Sequence, residues 1–309
     1  MPHTPINQSE INKAVWNACD TFRGTVDPSI YKDFILTMLF LKYISDVHQD
    51  KVEELKKEFG DIPELITEML ESQSFKIPAG SSFWDLYEKR FEPGNGSRID
   101  TALHAIEEAN IKLKSVFQDI SFNTDKLGDE KQKNDILRHL LEDFGKPTLS
   151  LRPSRVGSLD VIGNAYEYLI KHFAAGSGKS AGEFYTPAAV SELIAELLDP
   201  QENDQICDPA CGSASLLMKC GRKILEKTGS RKYALFGQEA IGSTWALAKM
   251  NLFLHGEDNH RLEWGDTLRN PLLLDETGGL LHFDIVTANP PFRLDKWGFD
   301  NAANDKYDE

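Results

Sequence analysis

From residue 205 onward, short apolar segments alternate with longer amphipathic ones, and no other feature of this sequence constrains its fold as strongly. The apolar segments QICDP, ALFGQE, LEWGD and FDIVTAN have the length of strands, whereas SASLLMKCGRKILEKTG and STWALAKMNLFLHG have helical periodicity. Strands that alternate with helices pair in parallel, because each parallel connection needs a long crossover. The sequence therefore predicts a doubly wound parallel sheet, with Asp284-Ile285-Val286 as part of a buried strand.

The first half of the sequence has the periodicity of helices. In DPSIYKDFILTMLFLKYISDVHQDKVEELKKEFG, the apolar residues Phe34, Met38 and Leu41 follow at helical spacing, and Gly60 is typical of a helix end. Further amphipathic helices are predicted for PELITEMLES, RIDTALHAIEEANIKLKSVF and EKQKNDILRHLLEDFG. The most apolar window, residues 34–44, is too short to span a bilayer and is interpreted as a buried helix. We predict a helical domain over residues 1–157 and a second domain over residues 158–309.

The charge and the cysteines restrict the function and the compartment. The formal net charge is -15, whereas a protein that coats nucleic acid by itself is basic, because phosphate neutralisation supplies most of the affinity. If the chain acts on DNA, a basic partner must supply much of the affinity for DNA. The four cysteines form no CxxC pair and no apolar leader opens the sequence, so we expect a cytoplasmic protein that does not enter a membrane.

Small or acidic residues follow the predicted strands, at the edge where open parallel sheets bind ligands. After the first strand, DPACGSAS turns into a helix through small residues, either to admit a ligand to the backbone or as an ordinary turn. Cys207, directly before this segment, and Cys211, within it, are interpreted as buried packing residues rather than as thiol ligands. Glu239 follows the second strand, where it accepts hydrogen bonds from a ribose or interacts with a helix dipole. Asp266 follows the third, where it accepts from an adenine amino group or caps the next turn.

Two further segments combine aromatic rings with proline. GEFYTP, residues 182–187, is either the wall of an apolar or cationic ligand site or a packed loop. In NPPF, the two prolines end a strand and push Asn289 out of the helical region, so that a stiff loop presents a carboxamide beside a phenyl ring. The alternative is a loop that happens to carry two prolines.

These motifs resemble those of the class I S-adenosylmethionine-dependent DNA adenine-N6 methyltransferases. More narrowly, the sequence resembles the modification subunit of type I restriction-modification systems, over nearly its whole length. MLFLKYISD, GEFYTP, DPACGS, GQE, GD and NPPF occur in the order of that family. The resemblance implies a Rossmann-like methyltransferase domain after the helical domain.

The resemblance also implies a role for each motif. The methionine part of the cofactor, S-adenosyl-L-methionine, would be walled by Glu183, Phe184, Tyr185, Thr186, Pro187 and Ala188. The turn beneath the cofactor would comprise Asp208, Gly212, Ser213, Ala214 and Ser215. Glu239 would bind the ribose and Asp266 the adenine ring. The sulfonium supplies the leaving group, so the reaction needs no metal.

The NPPF loop would hold the target base. Asn289 and Pro290 would each accept one hydrogen of the exocyclic amine of an adenine flipped out of the duplex. Pro291 would help to keep the loop preorganised, and Phe292 would stack on the base. The implied partners are a specificity subunit that reads the DNA sequence, a second modification subunit, a restriction subunit and double-stranded DNA within their complex.

Two departures from the family pattern bear on activity. Ala214 stands where the family usually has glycine, so a positive φ there would be strained and would crowd the cofactor. The sequence also stops about twenty residues after NPPF, before further strands of the family's sheet, so we expect a truncated domain or a fragment. Two other functions stay open: methylation of a protein glutamine side chain, and a non-catalytic module that binds partners.

Overall fold

The computed structural model describes residues 7–20, 22, 28–70, 75–156, 159–176, 186–291 and 307. The chain divides into two compact units, residues 1–173 and 174–309. The predicted domain boundary at residue 157 lies in the helix-rich region just before the last long helix of the first unit. No helix among the described residues is both long and apolar enough to cross a bilayer.

The first unit is built from helices. Its α-helices are α1 (Gln8–Ala18), α2 (Pro28–Phe59), α3 (Pro63–Leu70), α4 (Phe83–Glu88), α5 (Asn95–Ala109), α6 (Glu130–Phe144), α7 (Pro153–Val156) and α8 (Leu159–Gly176), which runs past its boundary. Short 3-10 turns lie at Ile111–Leu113, Asp125–Leu127 and Pro147–Leu149. The predicted helices are confirmed with one change, because the helix predicted over residues 98–117 ends at Ala109. There the Asn110 backbone is extended, and its side chain makes two 2.8 Å hydrogen bonds with the backbone of Lys76.

Helix α2 is the centre of the first unit. Phe34, Met38 and Leu41 are buried, as their spacing predicts. The helix ends at Phe59, and the next residue, Gly60, has a positive φ of 77°. The α2 motif MLFLKYISD also buries an ion pair between Lys42 and Asp46. Burial lowers the pKa of the Lys42 ammonium group, and the charge of Asp46 opposes that shift. Because an unpaired buried charge is costly, the pair needs further hydrogen bonds around it.

Asp46 receives those hydrogen bonds from distant parts of the unit. Its carboxylate accepts from the Trp84 indole nitrogen at 2.9 Å and from the Leu151 backbone nitrogen at 2.8 Å. The Lys42 ammonium nitrogen also lies 4.6 Å from the centre of the Trp84 ring. This part of the family motif therefore ties α2 to α4 and to the segment after α6.

The second unit contains the parallel sheet that the alternation predicts. Its strands are β1 (Gln205–Asp208), β2 (Ala234–Glu239), β3 (His260–Trp264) and β4 (Ile285–Val286), in the order β3-β2-β1-β4, and every pairing is parallel. Its helices are α9 (Ala188–Leu198), α10 (Ser215–Thr228) and α11 (Gly242–Leu254). The strand order reverses direction between β1 and β4, and ligands of doubly wound sheets bind at such a switch point. Asp208 ends one of these two strands, and Asn289 follows the other.

The strand predicted at Asp284-Ile285-Val286 is confirmed for Ile285 and Val286, but the prediction that it is buried is wrong. The strand contains two residues, lies at the edge of the described sheet and leaves the Val286 side chain 60% exposed. It pairs with β1 on one side, and no described residue pairs with its other side. Burial of a strand depends on its neighbours in the sheet, which the apolar letters of the segment do not reveal.

Candidate active site at the carboxyl edge of the sheet

The turn from β1 into α10 is tight and has a left-handed backbone at two positions. Gly212 has φ 54°, and Ala214 has φ 64° and ψ 20° with its side chain fully buried. The Ala214 backbone nitrogen donates to the Cys211 carbonyl at 2.7 Å, which closes the turn immediately before α10 begins at Ser215. A positive φ at Ala214 is expected from the sequence to be strained, and the structure has this positive φ. Such a backbone costs about 1–2 kcal/mol for an L-residue.

Neighbouring strands hold this turn in place. The Cys211 backbone nitrogen donates to the Gln238 carbonyl of β2 at 3.1 Å. Close approach of turn and strand requires the glycine at position 237, since a Cβ there would lie 2.7 Å from Leu262 Cδ2 and 3.1 Å from Cys211 Cβ. After β3, the Thr267 hydroxyl donates to the Pro209 carbonyl at 2.5 Å.

Glu239 is also part of the turn's framework. Its Oε2 accepts from the Gly212 backbone nitrogen at 3.0 Å, and its Oε1 accepts from the Ile241 nitrogen at 2.8 Å. Each carboxylate oxygen retains a second lone pair, so these bonds leave acceptor capacity for a ligand hydroxyl. The sequence predicted a ligand or dipole role for Glu239 and did not reveal its contact with Gly212.

Two carboxyl groups at this edge are buried. Asp208 is 1% exposed, and its Oδ1 accepts from the Ala210 backbone nitrogen at 3.0 Å. Burial raises the pKa of the Asp208 carboxyl to about 7, and the charge of Glu239 adds to the increase. Burial also raises the pKa of Glu239. Desolvated carboxylates of this kind favour a positively charged ligand, which compensates their charge.

The thiols beside them have the properties of packing residues. Cys207 and Cys211 are buried, and burial raises the pKa of Cys207 to about 12 and that of Cys211 well above its ordinary value. Thiols with raised pKa values stay protonated at neutral pH, and a metal ligand or nucleophile must be a thiolate.

Asp266 caps the turn after β3. Its Oδ1 accepts from the Leu268 nitrogen at 3.0 Å, and its Oδ2 lies 3.5 Å from the Arg269 guanidinium. The capping alternative is thus realised, while the predicted contact with an adenine ring stays a prediction. Exposed apolar side chains follow both acids along the chain: Ile241 comes two residues after Glu239, and Leu268 two after Asp266. Sequence reasoning did not single out these two residues, although their identical offset from an acid was visible.

The structure brings Asn289 to Thr186 across 103 residues of sequence. The Asn289 amide nitrogen donates to the Thr186 hydroxyl at 3.2 Å. Pro187 is the residue before α9, and Ala188 is the first residue of that helix. Pro290 and Pro291 are exposed. The predicted site residues Glu183, Phe184, Tyr185 and Phe292 lie outside the described residues.

Two groups of predicted residues are therefore assembled within the second unit. One group surrounds the β1 turn, which Glu239 joins to β2. The other group is the pair formed by Thr186 and Asn289. The turn is contacted as well by Asn251 of α11, a residue without a motif in the sequence, whose amide nitrogen donates to the Ser213 carbonyl at 2.9 Å.

The parallel strand order, the small-residue turn after β1 and the acids after β2 and β3 define the class I methyltransferase fold. The sequence profile of the N-6 DNA methylase family matches residues 157–309, and that of the HsdM N-terminal domain matches residues 11–144. The chain belongs to the family of type I restriction-modification methylase subunits, which confirms the resemblance and the fold class.

Individual relatives agree with this assignment. The type I restriction enzyme MjaVIII methylase subunit of Methanocaldococcus jannaschii is 35% identical over 93% of this chain and 49% of the relative. The MpnII methylase subunit of Mycoplasma pneumoniae is 28% identical over 95% of this chain and 60% of the relative. The chain thus spans about half to three fifths of these relatives. Among solved structures, a type I restriction-modification methyltransferase subunit from Streptococcus thermophilus superimposes with a TM-score of 0.80 at 27% identity, over 98% of this chain and 67% of that one.

Proposed function

We propose that this chain supplies the cofactor turn and the target-amine loop of a DNA adenine-N6 methyltransferase that uses S-adenosylmethionine. The observation that carries the proposal is the arrangement of polar groups after four adjacent parallel strands. Asp208, Glu239, Asp266 and Asn289 each end or follow one strand, at the edge where this fold class binds ligands.

The residues at this edge suit S-adenosylmethionine. When bound, this cofactor supplies an electrophilic methyl group on a cationic sulfur. The two buried carboxyl groups, Asp208 and Glu239, favour a cation, and Glu239 has lone pairs left for ribose hydroxyls. Ile241 and Leu268 offer exposed apolar surface for an aromatic base, and the Asp266 carboxylate, two residues before Leu268, is half-buried.

Asn289 and Pro290 hold the amine that becomes methylated. The Asn289 amide nitrogen donates to Thr186, which orients the carboxamide, and the amide oxygen accepts a hydrogen from the target amine. The Pro290 carbonyl accepts the second hydrogen. Both bonds favour a pyramidal nitrogen, whose lone pair is then available for reaction, and the two prolines limit the motion of the loop.

The acidic charge requires partners for DNA binding. A net charge of -15 repels phosphates, so a specificity subunit supplies the sequence reading and most of the affinity for double-stranded DNA. A second modification subunit and a restriction subunit complete the assembly. We place the complex in the cytoplasm, where a chain whose cysteines are free and buried stays reduced.

Methyl transfer by the assembled enzyme tests this proposal. With labelled S-adenosylmethionine, we expect the label in adenine N6 of DNA, and Asn289→Ala should lower the rate by on the order of a hundredfold or more. Cofactor affinity should change little, because the amide oxygen contacts the target rather than the cofactor. The control is Glu276→Ala, an exposed position in the loop before β4, which should leave the rate unchanged. Label in a protein glutamine rather than in DNA would overturn the proposal, as would normal DNA methylation by the Asn289 variant.

A further inference from the structure

Asn251 is a polar side chain in an otherwise apolar part of α11. It is 0% exposed, and its helix neighbours Ala248, Met250 and Leu252 are equally buried. Its amide nitrogen donates to the Ser213 carbonyl, 38 residues away in the sequence. The amide oxygen has no hydrogen-bond partner in the described part of the chain. A leucine or methionine would fill this position without burying an amide, so the contribution specific to asparagine is the bond to the turn.

We propose that Asn251 is a positioning residue for the cofactor turn, which it holds in the left-handed conformation that Ala214 does not favour. This inference rests on the proposed function, since it takes S-adenosylmethionine as the ligand of the turn. The Ser213 carbonyl belongs to the peptide that precedes Ala214, so the orientation of this peptide and the φ of Ala214 change together. Rotation of that peptide would take the carbonyl away from Asn251 and leave a buried donor without an acceptor.

The remaining contacts of the turn explain why this bond is needed. The Gly212 nitrogen donates to the Glu239 carboxylate, and the Cys211 nitrogen donates to the Gln238 carbonyl. Both donors lie before the strained residue, Ala214, in the chain. Two described contacts act on the peptide directly before Ala214. Its nitrogen donates to the Cys211 carbonyl within the turn, and its carbonyl accepts from Asn251, which is the contact that joins this peptide to another element. An alanine disfavours this backbone by roughly tenfold, whereas a glycine adopts it about as readily as its mirror image.

This difference between alanine and glycine allows a positioning role of Asn251 to be distinguished from a packing role. If Asn251 holds the turn against the preference of Ala214, the bond matters less once Ala214→Gly removes that preference. If Asn251 merely packs α11 against the turn, its loss has the same effect in both backgrounds. A double-mutant cycle on these two positions measures the coupling directly.

The experiment is calorimetric titration of the chain with S-adenosylmethionine in a cycle of four proteins: the original sequence, Asn251→Ala, Ala214→Gly and the double variant. We expect Asn251→Ala to weaken binding by about tenfold, and by about threefold or less in the Ala214→Gly background. Ala248→Gly is the matched control, because it destabilises the same helix and removes no side-chain hydrogen bond to the turn. Its effect on affinity should be the same in both backgrounds. Equal affinity of Asn251→Ala and the original sequence, or an equal loss in both backgrounds, would overturn the inference.

Hydrogen exchange of the cofactor-free proteins provides a second measurement that requires neither binding nor turnover. Asn251→Ala should accelerate exchange of the Gly212 and Ala214 amides and leave that of β3 unchanged, and Ala214→Gly should reduce the acceleration. Uniform acceleration over the whole second unit would indicate a packing role and contradict the inference. The two measurements also separate this inference from the proposed function. If neither the original sequence nor Ala214→Gly binds S-adenosylmethionine, the cofactor assignment fails. If Asn251→Ala still accelerates exchange of the Gly212 and Ala214 amides, the positioning of the turn by Asn251 is supported.

Discussion

The buried carboxyl group of Asp208 makes the stability of the second unit depend on pH in a direction opposite to that of a salt-bridged acid. Its pKa is raised from an ordinary value of 3.8 to about 7 by burial. Between these two values the folded protein binds more protons than the unfolded chain, so stability falls as the pH rises. At about 1.4 kcal/mol for each pKa unit, the loss is on the order of 4 kcal/mol and is complete above about pH 7.

Asp208→Asn removes this dependence with little change in shape. The amide oxygen can still accept from the Ala210 nitrogen, and the side chain no longer ionises. As the pH rises from 5 to 8, the original protein loses stability through Asp208 and the variant does not. We therefore expect the difference in unfolding free energy to shift in favour of the variant, by several kcal/mol at most. For a unit of this size, that corresponds to a relative increase in the melting temperature of roughly 10 °C.

Hydrogen exchange in β1 is a suitable assay, because it reports the sheet separately from the helical unit. It is measured without cofactor at constant ionic strength from pH 5 to pH 8 and corrected for the intrinsic exchange rate. Glu276→Gln removes an exposed charge and controls for the change in net charge. A stability difference between the original protein and Asp208→Asn that stays constant over this range would show that the carboxyl group does not titrate as its burial implies.

Three further predictions concern the turn, the helical unit and the partners. Glu239→Gln should destabilise the second unit by about 1–3 kcal/mol in urea unfolding, since one backbone donor then faces an amide N–H. It should also abolish stabilisation by S-adenosylmethionine, about 2.7 kcal/mol at a hundred times the Kd; retained stabilisation would contradict the role of Glu239. Lys42→Met should destabilise the helical unit by about 3 kcal/mol, because it leaves the buried Asp46 without its cation. The same substitution at Lys51, which pairs with Glu54 at the surface, should cost less than about 1 kcal/mol, and equal effects of the two substitutions would refute the argument. In gel-shift titrations, the chain alone should bind duplex DNA weakly, and addition of the specificity subunit should give tight, salt-sensitive and sequence-dependent binding; tight selective binding by the chain alone would refute this division of roles.

Local patterns were sufficient to predict most of the fold. The strands β1 to β3 and their helices follow the predicted segments closely, because each contains its own apolar period and its own turn residues. Features that depend on distant contacts were missed. The helix that ends at Ala109 is followed by Asn110, whose side chain bonds to the backbone of Lys76, 34 residues away, and the exposure of Val286 depends on which strands flank it.

The candidate site shows the same division. The family motifs predicted Asp208, Glu239 and Asn289 because these residues stand directly after strands. The bond between Asn289 and Thr186 could not be read from either motif alone, since it needs the geometry of both. Asn251 was not predicted, because one amide in an apolar helix resembles an ordinary core position until its partner on the turn is known.

The hydrogen bond from Leu151 to Asp46 has a consequence for the order in which the protein can fold during synthesis. The two residues are 105 positions apart, so most of the helical unit must leave the ribosome before this bond to the buried carboxylate can form. Phe173 comes later still, and its ring lies 5.6 Å from that of Tyr31 in α2. A nascent chain that stops at residue 144, where the match to the HsdM N-terminal domain ends, lacks the Leu151 donor to the ion pair of α2. The helical unit therefore stays incomplete until residue 173 has left the ribosome.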